Sequence, residues 1–80
     1  MKIEMFSKDN CTQCIAAAHW LAQQGHQVET LKLSVDFDNQ TLFTLFPNAR
    51  TYPQFRLNGD TIGDFSTLKS HLAFVTEAEF

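Results

Sequence analysis

The feature that most constrains this chain is a pair of cysteines placed between a strand-like run and a helix-like run. Cys11 and Cys14 are the only cysteines among the 80 residues, and two residues separate them. The apolar run 3–6 before them is typical of a strand, and the alanine-rich segment 15–22 after them is typical of a helix. The N-terminus of a helix favours negative charge and lowers the pKa of a thiol placed there. We therefore predict that Cys11 is the attacking thiolate of a thiol–disulfide exchange and that Cys14 resolves the mixed disulfide.

The spacing of potential ligands disfavours two structural roles for the cysteine pair. A structural zinc site needs four ligands, whereas the histidines His19, His26 and His71 are scattered along the chain. A structural disulfide between Cys11 and Cys14 would close a very short ring and would stabilise the fold little. We therefore expect a redox-active dithiol and no metal site.

Length and composition predict one small domain that spans residues 1–80. Hydrophobic residues make up 44% of the chain and include eight phenylalanines, which is enough for a packed core. The net charge of −3 disfavours nucleic acid and anionic membranes as main partners. Met1 and Lys2 lead directly into the first strand without a recognisable signal peptide, and no apolar run approaches the length of a membrane span. We expect a cytoplasmic monomer, in a compartment where a Cys-x-x-Cys pair is more often catalytic than structural.

Hydrophobic periodicity and turn signals predict seven elements in the order βαβαββα. The predicted strands are 2–6, 28–35, 54–57 and 61–63, and the predicted helices are 12–24, 39–46 and 66–75. Since a helix separates the first two strands, we expect these strands to be parallel, and Asn58-Gly59 predicts a hairpin between the last two. The result is an α/β fold with a central four-stranded mixed sheet and three flanking helices on its two faces.

Capping residues set the expected ends of the helices. Asp9 and Asn10 are candidate N-caps of the first helix, and Gly25 suits its C-terminal end. Asp36 or Asp38 is the candidate N-cap of the second helix. We expect fraying in the acidic tail that contains Glu77, Glu79 and Phe80.

The spacing of apolar residues predicts which faces are buried. The expected buried positions of the first helix are Cys14, Ala17, Ala18, Leu21 and Ala22. Those of the second helix are Leu42, Phe43, Leu45 and Phe46, and those of the third are Leu68, Leu72 and Val75. The second strand has the apolar positions Val28, Leu31, Leu33 and Val35. In the third strand, Phe55 and Leu57 lie on one face, opposite Gln54 and Arg56.

Three separated motifs resemble the glutaredoxin family, and the resemblance extends over nearly the whole chain. Residues 6–14 (Phe-Ser-Lys-Asp-Asn-Cys-Thr-Gln-Cys) are similar to the family's opening aromatic-[Ser/Thr]-Lys-x-x-Cys-Pro-Tyr-Cys. Residues 48–53 (Asn-Ala-Arg-Thr-Tyr-Pro) resemble Gly-Ala-Arg-Thr-Val-Pro. Residues 62–66 (Ile-Gly-Asp-Phe-Ser) resemble the turn Ile-Gly-Gly-x-[Asp/Ser/Thr] before the last helix. The resemblance implies a thioredoxin-like fold and a dithiol–disulfide oxidoreductase that reduces protein or glutathione mixed disulfides.

The resemblance also implies a site for substrate or glutathione. Its residues would be Lys8, Gln13, Gln40, Thr51, Tyr52, Pro53, Phe65 and Ser66. Pro53 would be a cis-proline facing the dithiol, and the backbone of Tyr52 would pair with a bound peptide or glutathione like an added strand. Glutathione would act as a co-substrate, with no tightly bound cofactor.

Four residues of this site have expected contacts with the two carboxylates of glutathione. By the resemblance, Lys8 and Gln40 would meet the glycine carboxylate. From its position alone, Lys8 is equally suited to stabilising a thiolate or to remaining solvated. The backbone N–H groups of Phe65 and Ser66 would bind the γ-glutamyl carboxylate, a role consistent with the affinity of helix N-termini for anions.

The chain also departs from the family pattern, and the departures leave alternatives open. Thr12-Gln13 stands where the family has Pro-Tyr, Tyr52 replaces a small aliphatic residue, and Asp64 replaces a glycine. A similar Cys-[Val/Met]-Gln-Cys centre occurs in glutaredoxin-like hydrogen donors of ribonucleotide reductase, which take electrons from thioredoxin reductase. One alternative is therefore such a donor, and a more remote one is a non-enzymatic module that binds an iron–sulfur cluster with glutathione. The expected partners are disulfide-containing client proteins, with glutathione or thioredoxin reductase as the electron source.

Overall fold

The seven elements follow one another in the predicted order βαβαββα. The computed structural model describes the backbone of residues 2–78 and the side chains of residues 2–73. The strands and helices are β1 (Ile3–Ser7), α1 (Thr12–Gln23), β2 (Val28–Lys32), α2 (Asn39–Leu45), β3 (Gln54–Leu57), β4 (Asp60–Asp64) and α3 (Phe65–Ala78). The predicted elements are therefore confirmed, with ends that differ by at most three residues.

The four strands form a mixed sheet in the order β2-β1-β3-β4. β1 pairs in parallel with β2, where Ile3 lies opposite Val28, and antiparallel with β3, where Ile3 lies opposite Leu57. The parallel pair arises because the chain crosses back through α1. Asn58 and Gly59 connect β3 to β4 with φ values of 52° and 89°, and a type I′ hairpin turn requires positive φ at both positions. The predicted parallel pair and the predicted hairpin are confirmed.

β1 lies at the centre of the molecule and is buried at all five positions, because helices cover both faces of the sheet. Ile3 and Met5 face α1 and α3, whereas Phe6 faces α2. The α1/α3 core consists of Ile3, Met5, Cys11, Cys14, Ala17, Leu21, Phe55, Leu57, Leu68 and Leu72. The α2 core consists of Phe6, Phe37, Leu42 and Phe46. Both cysteines of the motif are therefore part of a packed core.

A partly buried ion pair joins β1 to β3 on the α2 side of the sheet. Glu4 and Arg56 lie opposite each other in the strand register. Arg56 donates from Nε and Nη2 to the two carboxylate oxygens of Glu4, each at 2.7 Å. These hydrogen bonds lower the pKa of Glu4, although burial acts in the opposite direction. The guanidinium of Arg56 also lies over the ring of Phe6, 5.3 Å from its centroid, so the pair is held against the α2 core.

The predicted N-caps of α1, Asp9 and Asn10, are wrong. Cys11 has an extended backbone (φ −104°, ψ 96°) and caps the helix itself, since its Sγ accepts the backbone N–H of Cys14. Asn10 adopts the left-handed conformation (φ 56°) and turns the chain one residue before the cap. Asp9 points away from the helix end and pairs with Lys32, with 2.7 Å between Oδ1 and Nζ.

The second strand is shorter than predicted, and its last apolar residue is exposed. The chain leaves the sheet after Lys32 because Ser34 adopts φ 70° and Asp36 accepts the backbone N–H of Lys32 at 2.9 Å. Val35 is therefore 74% exposed, and the prediction that it belongs to the strand is wrong. The same local turn excludes Asp36 as the cap of α2.

The two ends of α2 follow the prediction, but one of its expected core residues does not. Asp38 accepts the N–H of Thr41 at 2.8 Å and caps the helix. Leu42 and Phe46 are buried, whereas Phe43 is 52% exposed, because a helix of seven residues presents only a narrow face to the sheet. On α1, Ala22 is likewise exposed, contrary to the prediction.

The C-terminal helix extends to Ala78, three residues beyond its predicted end. Glu77 is helical, so the prediction of fraying is wrong for this residue. The side chain of Val75 and the predicted fraying at Glu79 and Phe80 lie outside the described residues. Within the described part of the chain, no helix is long and apolar enough to cross a membrane.

Candidate active site

The two cysteines lie at the N-terminus of α1, just beyond the buried end of β1. Cys11 and Cys14 are disulfide-bonded, with 5.2 Å between their Cα atoms. The backbone N–H of Cys14 donates to the Sγ of Cys11 at 3.1 Å, so this sulfur occupies the position of a capping oxygen. When the disulfide is reduced, the same N–H and the helix dipole stabilise a thiolate at Cys11.

Accessibility agrees with the capping geometry. Cys11 is 7% exposed and Cys14 is 3% exposed, so the capping sulfur belongs to the more accessible of two nearly buried residues. The difference is small, and the position of the Cys11 sulfur at the helix end carries the assignment. This geometry favours Cys11 as the attacking residue and Cys14 as the resolving one.

A cleft of about 300 Å³ lies beside the dithiol, and Lys8 lines this cleft together with Cys11 and Cys14. Lys8 and Asp9 contribute the charged side chains of this cleft. The carboxylate of Asp9 is paired with Lys32, whereas Lys8 forms no ion pair with any described residue. The positive charge of Lys8 is therefore available to interact with an anion in the cleft.

The peptide bond between Tyr52 and Pro53 is cis, as the resemblance implies. Pro53 is buried, and the ring of Tyr52 packs against both the α1/α3 core and the α2 core. The side-chain amide of Gln54 donates to the carbonyl of Thr51 at 2.8 Å and so fixes the loop before the proline. The Nζ of Lys8 lies 5.3 Å from the centroid of the Tyr52 ring.

The hydroxyl of Tyr52 is buried and has no hydrogen-bond partner among the described residues. Burial raises the pKa of this phenol, so the side chain is neutral at neutral pH. A buried hydroxyl without a partner costs stability. The contribution of Tyr52 to the site must therefore come from its ring or its backbone.

A second cleft, of about 470 Å³, lies between the loop that precedes β3 and the start of α3. Thr51 and Asp64 contribute to its walls. The Oδ1 of Asp64 accepts the backbone N–H of Thr67 at 2.9 Å and its hydroxyl at 2.7 Å. These hydrogen bonds lower the pKa of Asp64. A carboxylate of the chain itself therefore caps the helix end at which a substrate carboxylate is expected.

Phe65 connects the start of α3 to the core beneath the dithiol. Its ring packs edge-on against Trp20 and lies tilted against Phe55, at centroid distances of 5.5 and 5.8 Å. The Nζ of Lys69 lies 4.9 Å from the centroid of the Phe65 ring. The side chain of Phe65 is thus used for packing, which leaves its backbone for a ligand.

Six of the predicted site residues line neither cleft: Tyr52, Pro53 and Phe65, which are described above, and three exposed polar residues. Gln13 lies exposed between the cysteines, Gln40 lies exposed in the first turn of α2, and Ser66 lies exposed in the first turn of α3. Their roles stay predictions. The sequence analysis missed Ile15 and Thr30, which line the dithiol cleft. Ile15 directly follows the motif, whereas Thr30 is identifiable only from the register that pairs it with Met5.

The sheet order, the helix placement and the dithiol at the start of α1 define a thioredoxin-like protein. Solved glutaredoxins share this fold. Glutaredoxin 1 from Francisella tularensis, solved with cacodylate, is 16% identical, with a TM-score of 0.73 over 95% of this chain and 96% of that one. Reduced Escherichia coli glutaredoxin is 15% identical, with a TM-score of 0.76 over 96% and 99%. Wheat glutaredoxin is 22% identical, with a TM-score of 0.66 over 85% and 68%. The predicted thioredoxin-like fold is confirmed.

The sequence itself carries the family assignment. The glutaredoxin family model matches residues 3–62, from the start of β1 into β4. The chain therefore belongs to the glutaredoxin family, as its three motifs indicate. No curated protein matches the chain at a significant level of sequence similarity. Family and dithiol geometry together support a thiol–disulfide oxidoreductase.

Proposed function

We propose that this protein is a glutaredoxin-type dithiol–disulfide oxidoreductase that reduces protein disulfides or glutathione mixed disulfides. The observation that carries the proposal is the position of the Cys11 sulfur at the N-cap of α1, where it accepts the N–H of Cys14. A thiolate at this position is stabilised by the helix end and is the nucleophile in thiol–disulfide exchange. We further propose that the protein acts as a monomer in the cytoplasm.

The reaction proceeds in two exchanges that transfer two electrons. The Cys11 thiolate attacks one sulfur of the substrate disulfide, the substrate S–S bond breaks, and the released thiolate takes up a proton. The attacked substrate sulfur is now bonded to Cys11. Cys14 loses its proton and attacks the Sγ of Cys11, which releases the second substrate thiol and forms the Cys11–Cys14 disulfide. The protein is oxidised and the substrate is reduced.

Glutathione is the proposed co-substrate that returns the protein to the dithiol form. One glutathione thiolate opens the Cys11–Cys14 disulfide at Cys11, and a second one releases the dithiol with formation of glutathione disulfide. Two features support binding of glutathione. Lys8 supplies a positive charge in the dithiol cleft, and the first turn of α3 begins beside the second cleft. We propose that the backbone of Tyr52, which precedes the cis-proline, pairs with a peptide-like ligand.

The first test measures NADPH consumption by the oxidised protein with two electron sources in parallel. One reaction contains glutathione and glutathione reductase, and the other contains thioredoxin reductase. Turnover with glutathione supports the proposed co-substrate. Turnover only with thioredoxin reductase would instead favour an electron donor to an enzyme such as ribonucleotide reductase, and would contradict the role of glutathione.

Single cysteine variants test the division of labour between the two thiols. We expect Cys11→Ser to abolish reductase activity with every substrate, because the nucleophile is lost. Cys14→Ser should accumulate mixed disulfides with protein substrates, because resolution is blocked, and should retain activity toward glutathione mixed disulfides. Mass spectrometry of the trapped adduct and the NADPH assay measure both outcomes. Full activity of Cys11→Ser would overturn the assignment of the nucleophile.

A further inference from the structure

The side chain of Lys8 contacts the ring of Tyr52, and the two side chains differ in conformational freedom. Lys8 lies in the exposed loop between β1 and α1, and a lysine there has several accessible rotamers. The ring of Tyr52 packs against both cores of the molecule and follows the buried geometry of the cis-proline. The Lys8 ammonium lies over this ring, 5.3 Å from its centroid. The ring can therefore fix the position of the ammonium.

We propose that Tyr52 is a positioning residue whose ring holds the Lys8 ammonium beside the dithiol, where it acts on the Cys11 thiolate. The inference rests on the proposed function, since it requires Cys11 to ionise during turnover. Lys8 lines the dithiol cleft together with Cys11 and Cys14. The ring of Tyr52 lies outside the lining of this cleft but packs against the core that contains both cysteines, so an ammonium over the ring is near the charge that reduction of the disulfide creates. An opposite charge nearby favours the ionised form of a thiol.

Charged side chains in the same loop as Lys8 and in the first turns of α3 have other partners than Cys11. In the same loop, Asp9 is paired with Lys32 of β2. At the start of α3, Asp64 accepts two hydrogen bonds from Thr67. In the next turn of the same helix, the ammonium of Lys69 lies over the rings of Phe65 and Trp20. Lys8 is therefore the charge in the dithiol cleft whose position depends on Tyr52.

The ring and the hydroxyl of Tyr52 can be separated experimentally. The hydroxyl is buried without a partner, so it makes no polar contact that positions Lys8. Tyr52→Phe keeps the aromatic face and removes the hydroxyl, whereas Tyr52→Leu removes the face and keeps an apolar side chain. Tyr52→Met serves as a second variant without an aromatic face, because its flexible side chain fills irregular space and protects folding. The effect of the aromatic face is therefore measured by comparing Tyr52→Phe with Tyr52→Leu and Tyr52→Met.

The experiment measures the pKa of Cys11 in the reduced proteins from the ultraviolet absorbance of the thiolate against pH. We expect Tyr52→Leu, Tyr52→Met and Lys8→Gln each to raise the pKa of Cys11 by roughly half a pH unit, the size of a solvent-screened charge interaction. Tyr52→Phe should leave the pKa of Cys11 where it is in the wild type. In the Lys8→Gln background, Tyr52→Leu should cause no further rise, because the ring acts through the ammonium.

Three results would overturn the inference. They are an unchanged pKa of Cys11 in Tyr52→Leu and Tyr52→Met, a pKa of Cys11 in Tyr52→Phe raised as much as in Tyr52→Leu, and an equal rise caused by Tyr52→Leu with and without Lys8. Thermal unfolding of each variant shows whether it is folded. If Tyr52→Leu or Tyr52→Met fails to fold, the pKa of Cys11 in the other of these two variants decides the test. If the wild type is an active reductase that Cys11→Ser inactivates while the ring shows no coupling to Lys8, the positioning role alone fails. If Cys11→Ser stays active, the proposed function itself fails.

Discussion

The sulfur of Cys11 takes the position that a side-chain oxygen takes at the start of most helices. A thiolate accepts hydrogen bonds more strongly than a neutral sulfur does, because the acceptor carries a full charge. The helix end therefore stabilises the ionised form of Cys11 more than its disulfide form. The same stabilisation makes Cys11 a good leaving group in the proposed reduction by glutathione, when the second glutathione thiolate attacks the glutathione sulfur that is bonded to Cys11. One backbone N–H, that of Cys14, thus assists both the attack by Cys11 and its later release.

We expect Asp64 to limit the proposed binding of an anionic substrate at the start of α3. Its carboxylate already caps this helix through Thr67, so a γ-glutamyl carboxylate at Phe65 and Ser66 meets a negative charge nearby. Asp64→Asn retains an oxygen that can cap the helix and removes the charge. We expect the KM for a glutathione mixed disulfide to fall roughly two- to five-fold, with kcat unchanged, because solvent screens the repulsion. Steady-state kinetics with the glutathione system measures both constants.

Asp60→Asn is the matched control for this prediction. Asp60 lies at the other end of the same strand from Asp64 and is exposed, so the substitution changes the net charge by the same amount away from the start of α3. An equal fall of KM in Asp60→Asn would attribute the effect to net charge rather than to the position of Asp64. An unchanged KM in Asp64→Asn would argue against binding of the γ-glutamyl carboxylate at this helix end.

At the scale of the elements, α2 depends on its cap more than the longer helices do. It has only seven residues and buries a single side chain within its length, Leu42. Asp38 satisfies the N–H of Thr41, and this hydrogen bond lowers the pKa of Asp38. We expect Asp38→Ala to lower the melting temperature by a few degrees, because a helix N–H loses its partner. Asp38→Ser should retain most of the wild-type stability, since serine also caps helices.

Differential scanning calorimetry of the three proteins measures this effect. An Asp38→Ser protein as unstable as Asp38→Ala would indicate that the negative charge of Asp38, rather than its hydrogen bond to Thr41, stabilises the helix. Gln40, a predicted contact of glutathione, lies in the same first turn of α2. A loosened turn would therefore also displace one proposed element of the binding site.

At the scale of the whole molecule, the sequence predicted the features that depend on a few neighbouring residues. It did not predict contacts between residues that are distant in sequence. Gly25, with φ 84°, ends α1, and Asn58-Gly59 forms the hairpin, because in both cases the required backbone conformation is a property of the residues themselves. The contact of Lys8 with Tyr52 joins segments that lie far apart in sequence, so no local spacing reveals it. Val35 shows that a local pattern can also mislead. The alternation of apolar residues predicted that the second strand continues to Val35, but a turn ends the strand before it, and Val35 is exposed.

The cap of α1 was missed for a different reason. Capping preferences favour oxygen-bearing side chains, and Asp9 and Asn10 directly precede the motif. The helix starts at Thr12 as predicted, so the residue directly before it is Cys11, and the left-handed turn at Asn10 precedes this cap. The residue with the proposed catalytic role therefore also caps the helix, and general capping preferences do not include that case.

The ion pair between β1 and β3 makes the stability of the whole molecule depend on pH. Hydrogen bonds from Arg56 lower the pKa of Glu4 in the folded state. A lowered carboxyl pKa contributes stability above the ordinary value of about 4.3, and this stability is lost as pH falls through the lower, folded-state value. We expect the free energy of unfolding to decrease on acidification in that range. Glu4→Gln should reduce this dependence and cost about 2 kcal/mol at neutral pH, because Arg56 loses two charge-assisted hydrogen bonds.

Glu29→Gln provides the comparison for Glu4→Gln. Glu29 lies opposite Glu4 on the neighbouring strand, but its side chain is 56% exposed and approaches Lys2 only to 3.8 Å. An exposed pair of this kind contributes little, so we expect its loss to change the free energy of unfolding by about 0.5 kcal/mol or less. Urea unfolding at a series of pH values measures all three proteins. If Glu4→Gln keeps the acid dependence of the wild type, a carboxylate other than Glu4 controls the acid stability of the fold.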